Sequence, residues 1–437
     1  MADRRVAITG LGVVTPAGVG IGPLWEALLA GGQSVGEISL FDASKFPCRI
    51  GGELTDFSAR GYVPKDYRKA VKVMARDIEI AVAAADLAFR DSSFVTRASG
   101  ALEMTVEPGR LGCNIGAGLI CSDLDELGSA VNTSLTDGKF DMGAWGRSGM
   151  TNLTPLWLLK YLPNMLACHV TIIHGAEGPS NTITGGDASG HLTVGEAARL
   201  IERGGADAVI AGGAESKLNA MGLLRQSLLG RLRSDGAIRP GEACRPFDAG
   251  HAGTVIGEGG GLLILEDLRG AEARGARIYA EVVGFGGACD PGGIDVKAPT
   301  TGSLDLAVGK ALDDAGIEPK DVGAIIAHGT AVAAEDNLEA AAWSKALGQT
   351  AQTAPAAAIT GAMGSLFAGA GGVELAVAVM ALHTQTVPPT VNFARPADGC
   401  HLNLSSRPRG AEIEYAVSAA FGIGGQSGAC ILRRYRK

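Results

Sequence analysis

Short apolar runs alternate with helix-period stretches along the whole chain, and no linker interrupts them. Arg5–Thr9 reads as a strand ending in Gly10-Leu-Gly12, and 111–115, 208–211 and 261–265 read as further buried strands. Between them, 66–90 carries an apolar stripe through Val71, Val73, Met74 and Ile78 at helical spacing, and 154–166 and 188–203 read as helices, the last closed by Gly204-Gly205. The second half repeats the theme. Strands are predicted at 279–283, 324–327, 413–418 and 428–433, with helices at 304–315, 336–347 and 372–382. Such alternation predicts an α/β protein with largely parallel sheets. The Gly-rich Gly257–Gly261 leads directly into a strand. Val131–Gly149 reads as a long insertion, either an interface element or a plain surface loop.

Composition narrows the function classes. The 437 residues are 46% hydrophobic and 19% charged, with 65 glycines, which suits a core-rich globular chain with many tight turns. A net charge of −8 argues against a nucleic-acid footprint, which needs a basic face. The longest apolar run, around Val373–Leu382, is too short to span a bilayer, and Met1-Ala-Asp-Arg-Arg opens no secretory signal. The eight cysteines are scattered without a CxxC pair, as reduced core residues are, so neither a disulfide framework nor a metal site is expected. The cytoplasm is the expected compartment.

Several segments, in order along the chain, resemble β-ketoacyl-acyl-carrier-protein synthases of the ketosynthase II type. They are Val6-Ala-Ile-Thr-Gly-Leu-Gly-Val-Val-Thr-Pro, Gly178-Pro-Ser180, Ala211-Gly-Gly-Ala-Glu-Ser216, Arg245-Pro-Phe-Asp248 through Gly257-Glu-Gly259, Ala327-His-Gly-Thr330 with Asp336 and Glu339, Val387-Pro-Pro-Thr-Val-Asn392, and Phe421-Gly-Ile-Gly-Gly425. Motifs in register are more specific than any single Gly-rich loop. The resemblance implies the thiolase fold, two similar halves (1–265 and 266–437) in a five-layer α-β-α-β-α sandwich, and a two-fold dimer. It also implies acyl chains presented on the phosphopantetheine of an acyl-carrier protein, with no other cofactor bound.

Decarboxylative condensation in this family needs a thiolate at a helix N-terminus, backbone N–H groups for the oxyanion, two imidazoles for the malonyl thioester oxygen, and room for the pantetheine arm. Register with the family puts the cysteine position on Asp187, in Thr184-Gly-Gly-Asp-Ala-Ser-Gly190. A carboxylate there is a poor acyl acceptor, since its product is a labile anhydride, and its charge opposes enolate formation. As a plain helix N-cap it is equally inert in condensation. A Ser189–His191 pair in its place would need hydrogen-bond contact that sequence proximity does not supply. The first histidine is retained as His328, for chemistry or for packing. Thr330 is kept beside it, while Val332 stands where the family has a hydroxyl. The second histidine position falls on Ser365, or on Ala362 under a gapped register, and the lysine before it is absent; His383 lies beyond the following helix. Ile423 replaces the phenylalanine that guards the acyl pocket, and Gln426-Ser427 replaces Thr-Asn.

The resemblance therefore implies a non-catalytic subunit of the chain-length-factor type, which pairs with an active ketosynthase in polyketide, polyene or specialised fatty-acid synthesis. That type carries Gln where this chain has Asp187. Two other readings stay open. One is a malonyl decarboxylase or other acyl-thioester enzyme using Asp187, His328 and Ser365, and the other a stand-alone homodimer that binds acyl groups or carrier protein.

Overall fold

The computed structural model describes residues 4–234, 238–292 and 303–436; Met1-Ala-Asp lies outside them. The principal elements are β1 (Val6–Thr15), α1 (Arg76–Asp91), β2 (Leu111–Gly116), α2 (Met165–His174), β3 (Ser180–Ile183), α3 (Ser189–Glu202), β4 (Ala208–Ser216) and β5 (Ile256–Asp267). There follow β6 (Ala280–Cys289), α4 (Leu304–Ala315), β7 (Val322–Ala327), α5 (Ala333–Leu347), β8 (Pro355–Ala358), α6 (Ala370–Thr384), β9 (Tyr415–Phe421) and β10 (Gln426–Arg434).

Their strands run in the order β8-β7-β9-β10-β6-β1-β5-β4-β2-β3. The order reads alike outward from the β6–β1 junction. On either side the first two pairings are antiparallel (β1–β5 and β5–β4; β6–β10 and β10–β9). The next two are parallel (β4–β2 and β2–β3; β9–β7 and β7–β8). The sheet is thus mixed, not largely parallel as the alternation of elements predicts. Local periodicity shows which residues face a core but not the direction in which neighbouring strands run.

Side-chain alternation builds the layers. On β4, Ala208 and Ile210 face α1 and α2 in one core, with Ile78, Val82, Leu166 and Leu262. Val209 and Ala211 face the other way, into a core that holds α3 and α6 (Val194, Ile201, Val373, Val377). The far side of that core is closed by Ile326, Ala416 and Leu432 of β7, β9 and β10. Alternate residues on the same strands, Ile325, Val417 and Ile431, face α4 and α5 around Trp343. This is the five-layer α-β-α-β-α sandwich of the thiolase fold.

Local differences from the sequence reading have identifiable causes. β1 continues through Gly10 and Gly12 because β5 pairs with it as far as Val14↔Gly260. The stretch 66–90 becomes helical only from Arg76; two 3-10 turns (Lys65–Tyr67, Ala70–Val73) precede it, and Val73 points outward at 60% exposure. The helix expected over 154–166 is a 3-10 turn at Trp157–Tyr161 followed by α2. Pro163 forces Leu162 into an extended conformation (ψ 129°) and divides the two. The insertion is ordered, with a two-stranded ribbon (Leu135–Thr136 with Lys139–Phe140) and a short helix at Met142–Arg147. The apolar run near 373 extends to Phe367–Thr384, long and apolar enough to cross a membrane by composition, yet it is the central helix of the sandwich and is 83% buried.

α3 and α6 cross where neither has a side chain. A Cβ on Gly190 would lie 2.6 Å from the Gly372 nitrogen, so the two backbones are in direct contact. Gly190→Ala is expected to force the helices apart and to cost about 1–3 kcal/mol, the usual range for overpacking. Urea denaturation followed by circular dichroism checks this.

Candidate active site

The helix crossing brings three loops to one point. The turn Gly186–Ala188 enters α3 and carries Asp187, while His328 follows directly on β7 and Glu374 lies on the first turns of α6. The 422–425 loop closes over the turn: a Cβ on Gly422 would be 2.9 Å from the Asp187 nitrogen, so the backbone approach requires glycine. Ile423 lies on that loop, partly buried, and its carbonyl faces Gly186. Asp187, His328 and Ile423, named from sequence, are thus brought together.

The centre of the arrangement is His328, fully buried and held between two carboxylates. Its Nδ1 lies 2.7 Å from Glu374 Oε1 and its Nε2 3.3 Å from Asp187 Oδ2. Burial opposes the imidazolium, but Glu374 and Asp187 outweigh it and hold the pKa well above the usual range. Burial likewise pushes the Asp187 carboxyl up, and is overcome by the His328 hydrogen bond and the charge of Arg231, which leave it below the ordinary carboxylate value. The Arg231 guanidinium stands 3.8 Å from Asp187 Oδ2 and is itself fixed by a two-pronged pair with Glu335, at 2.8 Å on each arm. The His328 and Gly329 backbone N–H groups donate to Glu339, whose burial pushes its pKa up to about 7.

Below Asp187, the Phe367 ring packs between two cations, with Lys217 Nζ 5.1 Å and Arg231 Cζ 6.0 Å from its centroid. Lys217 is paired with Glu215. Arg231, Lys217 and Phe367 were not singled out in the sequence. None carries a motif, and each reaches the site from a different part of the chain.

The other named residues are placed as follows. Thr330 is buried in the turn after His328, and its Oγ1 accepts the Val332 N–H at 3.2 Å; Val332 caps α5. Ser365 is fully buried, its backbone bonded to Val255 and Gly257, with no partner for its Oγ among the described residues and no contact to Asp187 or His328. Ser189 Oγ is tied into its own turn, accepting from Gly185 N–H and donating to Gly186 C=O. His191 turns away from it and pairs with Ser418 at 2.8 Å, its pKa pushed down to about 3 by burial. The Ser189–His191 pair considered from sequence is therefore not formed. Cys430 is the thiol bonded to this helix, through the His191 carbonyl, and burial pushes its pKa up to about 12.

A mixed two-half sandwich with a buried site where its two central helices meet is the scaffold of the thiolase fold. Residues 3–271 match the β-ketoacyl synthase N-terminal domain and 279–394 its C-terminal domain. The chain belongs to the β-ketoacyl synthase family. It is 34% identical to the 3-oxoacyl-[acyl-carrier-protein] synthase 2 of Synechocystis sp. over 100% of this chain and 99% of that protein. It is equally 34% identical to the synthase 2 of Vibrio harveyi, over 99% of each. Among solved structures, a β-ketoacyl synthase from Burkholderia phymatum superposes with a TM-score of 0.85 at 28% identity, covering 99% of this chain and 100% of that one. The ishigamide ketosynthase/chain length factor superposes with a TM-score of 0.84 at 27% identity, covering 100% of both.

The His328 charge has a measurable sign. A histidine whose folded pKa is raised contributes stability that is complete below about pH 6.5 and is lost as pH rises through the folded value. Asp187→Asn removes one of its two counter-charges. The His328 ring is expected to titrate at lower pH in the variant, and the loss of stability on the alkaline side to begin earlier. Carbon-detected NMR of labelled histidine, with urea melts across pH, measures both.

Proposed function

We propose that this chain is a non-catalytic ketosynthase-like subunit that pairs with an active ketosynthase, in the manner of a chain-length factor. The observation that carries the reading is the Asp187–His328 contact. Asp187 stands at the position the family resemblance gives to the nucleophile, and its carboxylate takes the His328 Nε2 that condensation needs for the malonyl thioester oxygen. An ionised carboxylate acylates only to an anhydride, and it repels the negative charge that develops on a malonyl group as carbon dioxide leaves. No second imidazole assists: Ser365 holds that position and His191 is pinned to Ser418.

Two surface features support a partner. Among the described residues β3 ends the sheet and pairs only with β2, so its outer edge offers free backbone donors and acceptors. Leu119, Leu135, Phe140, Met142, Leu156 and Leu158 are all exposed in the neighbouring stretch of sequence, more large apolar side chains than a free surface usually carries. The solved relatives include a ketosynthase/chain length factor, and another, AntDE:AntF, is described as a type II polyketide acyl-carrier protein in complex with its ketosynthase. An acyl-carrier protein is accordingly the expected second partner of the pair, which would present its acyl chain on phosphopantetheine.

Co-expression with the ketosynthase encoded nearest to it should give one-to-one co-purification and condensation of malonyl-carrier protein that needs both chains. That activity should fall less than twofold in Asp187→Ala. Decarboxylation or thioester hydrolysis by this chain alone, abolished by Asp187→Ala, would make it an acyl-thioester enzyme instead. A homodimer that ignores the ketosynthase and retains carrier protein would make it a stand-alone binding protein.

A further inference from the structure

A cavity of 580 Å³ opens between the start of α1, the segment after β2 and the segment after β4. Phe41, Met74, Leu218 and Met221 give it apolar walls. Asp77, in the first turn of α1, lines it and is only 3% exposed. One Asp77 oxygen, Oδ1, accepts the Ser216 N–H at 3.1 Å; the other has no hydrogen-bond partner among the described residues. That second oxygen faces a cavity that is open to solvent and whose walls are polar as well as apolar, so it is available to a donor that enters.

Lys217 is near enough to favour the Asp77 charge, but among the described residues no cation is bonded to it. Of the cations nearby, Arg76 is committed to Glu258 through two hydrogen bonds of 3.0 Å and to the Leu54 and Phe57 carbonyls. Lys160 is bonded to Glu126 at 2.6 Å, and Lys217 is paired with Glu215. The remaining charges of the lining, Asp42, Asp123 and Asp125, are again acidic. Burial and the neighbouring Glu215 push the Asp77 pKa up to about 7, so this carboxyl gains most from a positive charge brought to it. A bare metal ion does not suit the site, since among the described residues no three His, Cys, Asp or Glu side chains converge on one point. The part of the wall formed by Phe41, Met74, Leu218 and Met221 suits a hydrocarbon body.

We propose that this cavity binds an amphiphile with an apolar chain and a cationic amine head, with Asp77 as the counter-ion of the amine. The site is separate from the Asp187–His328 pair and does not depend on the partner-subunit reading. An amine entering it replaces the missing partner of Asp77 while its chain covers Met74, Leu218 and Met221. A fatty carboxylate of the same length would instead face Asp77 with like charge.

Calorimetric titration of the full chain with decylamine, decanol and decanoate, each below its aggregation concentration, tests this. Decylamine is expected to bind at least tenfold more tightly than decanol, and decanoate more weakly than either. Asp77→Asn should bring decylamine down to the level of decanol, and Met221→Trp, which fills the cavity from a partly exposed position, should abolish binding of both. Decanol or decanoate binding as tightly as decylamine, equal decylamine affinity in wild type and Asp77→Asn, or no decylamine binding would overturn the proposal. If Asp77→Asn does not fold, as judged by circular dichroism, the wild-type preference among the three ligands and its loss in Met221→Trp decide the matter.

Discussion

The site depends on the bare backbone contact between the two central helices. Because Gly190 meets Gly371-Gly372, α3 and α6 approach closely enough for the entrance of one and a carboxylate on the other to share a single histidine. The duplicated sheet supplies the rest. β3 and β7 each lie in the parallel part of their own half, and Asp187 and His328 follow their carboxyl ends, the usual place for a site in α/β sheets. A side chain at the crossing would separate Asp187 from Glu374 before it disturbed either half.

Within that frame the electrostatics are closed on themselves. His328 carries positive charge between Asp187 and Glu374, and Arg231 sits between Asp187 and Glu335. Buried charges of this kind are tolerated because each has a partner, and removing one partner leaves the other exposed to the full desolvation penalty. A catalytic thiolate needs the opposite arrangement, with donors left open toward a substrate that arrives later. Here His328 Nε2 meets the Asp187 carboxylate. The fold is kept by apolar layers and by the Gly190–Gly372 crossing, which do not involve the Asp187 side chain.

Much of this was legible in the sequence because the family motifs lie where the chain turns, and turns have strict residue requirements. The His328 segment, the Asp187 turn and the 422–425 loop are all fixed by glycines at close backbone approaches, so their positions could be read in order. The order of strands was less accessible, since periodicity reports which residues face a core and says nothing of strand direction. The Pro163 break between the Trp157 turn and α2 was readable in principle, as proline bars a continuous helix there. Arg231 and Lys217 were not readable. Each is an ordinary basic residue in its local stretch, and only the folded chain brings them to Asp187 and to the Phe367 ring. The unpaired Asp77 likewise sits in the first turn of a helix, where an acid is unremarkable until its burial is known.

The account turns on whether this chain ever takes an acyl group onto itself. Intact-mass spectrometry after incubation with octanoyl-carrier protein, with a parallel sample quenched in hydroxylamine to capture any anhydride, measures this directly. The account predicts an unchanged mass, with neither octanoyl ester nor hydroxamate on any residue. An octanoyl adduct on a serine or cysteine of the chain, or a hydroxamate mapped to Asp187, would contradict it.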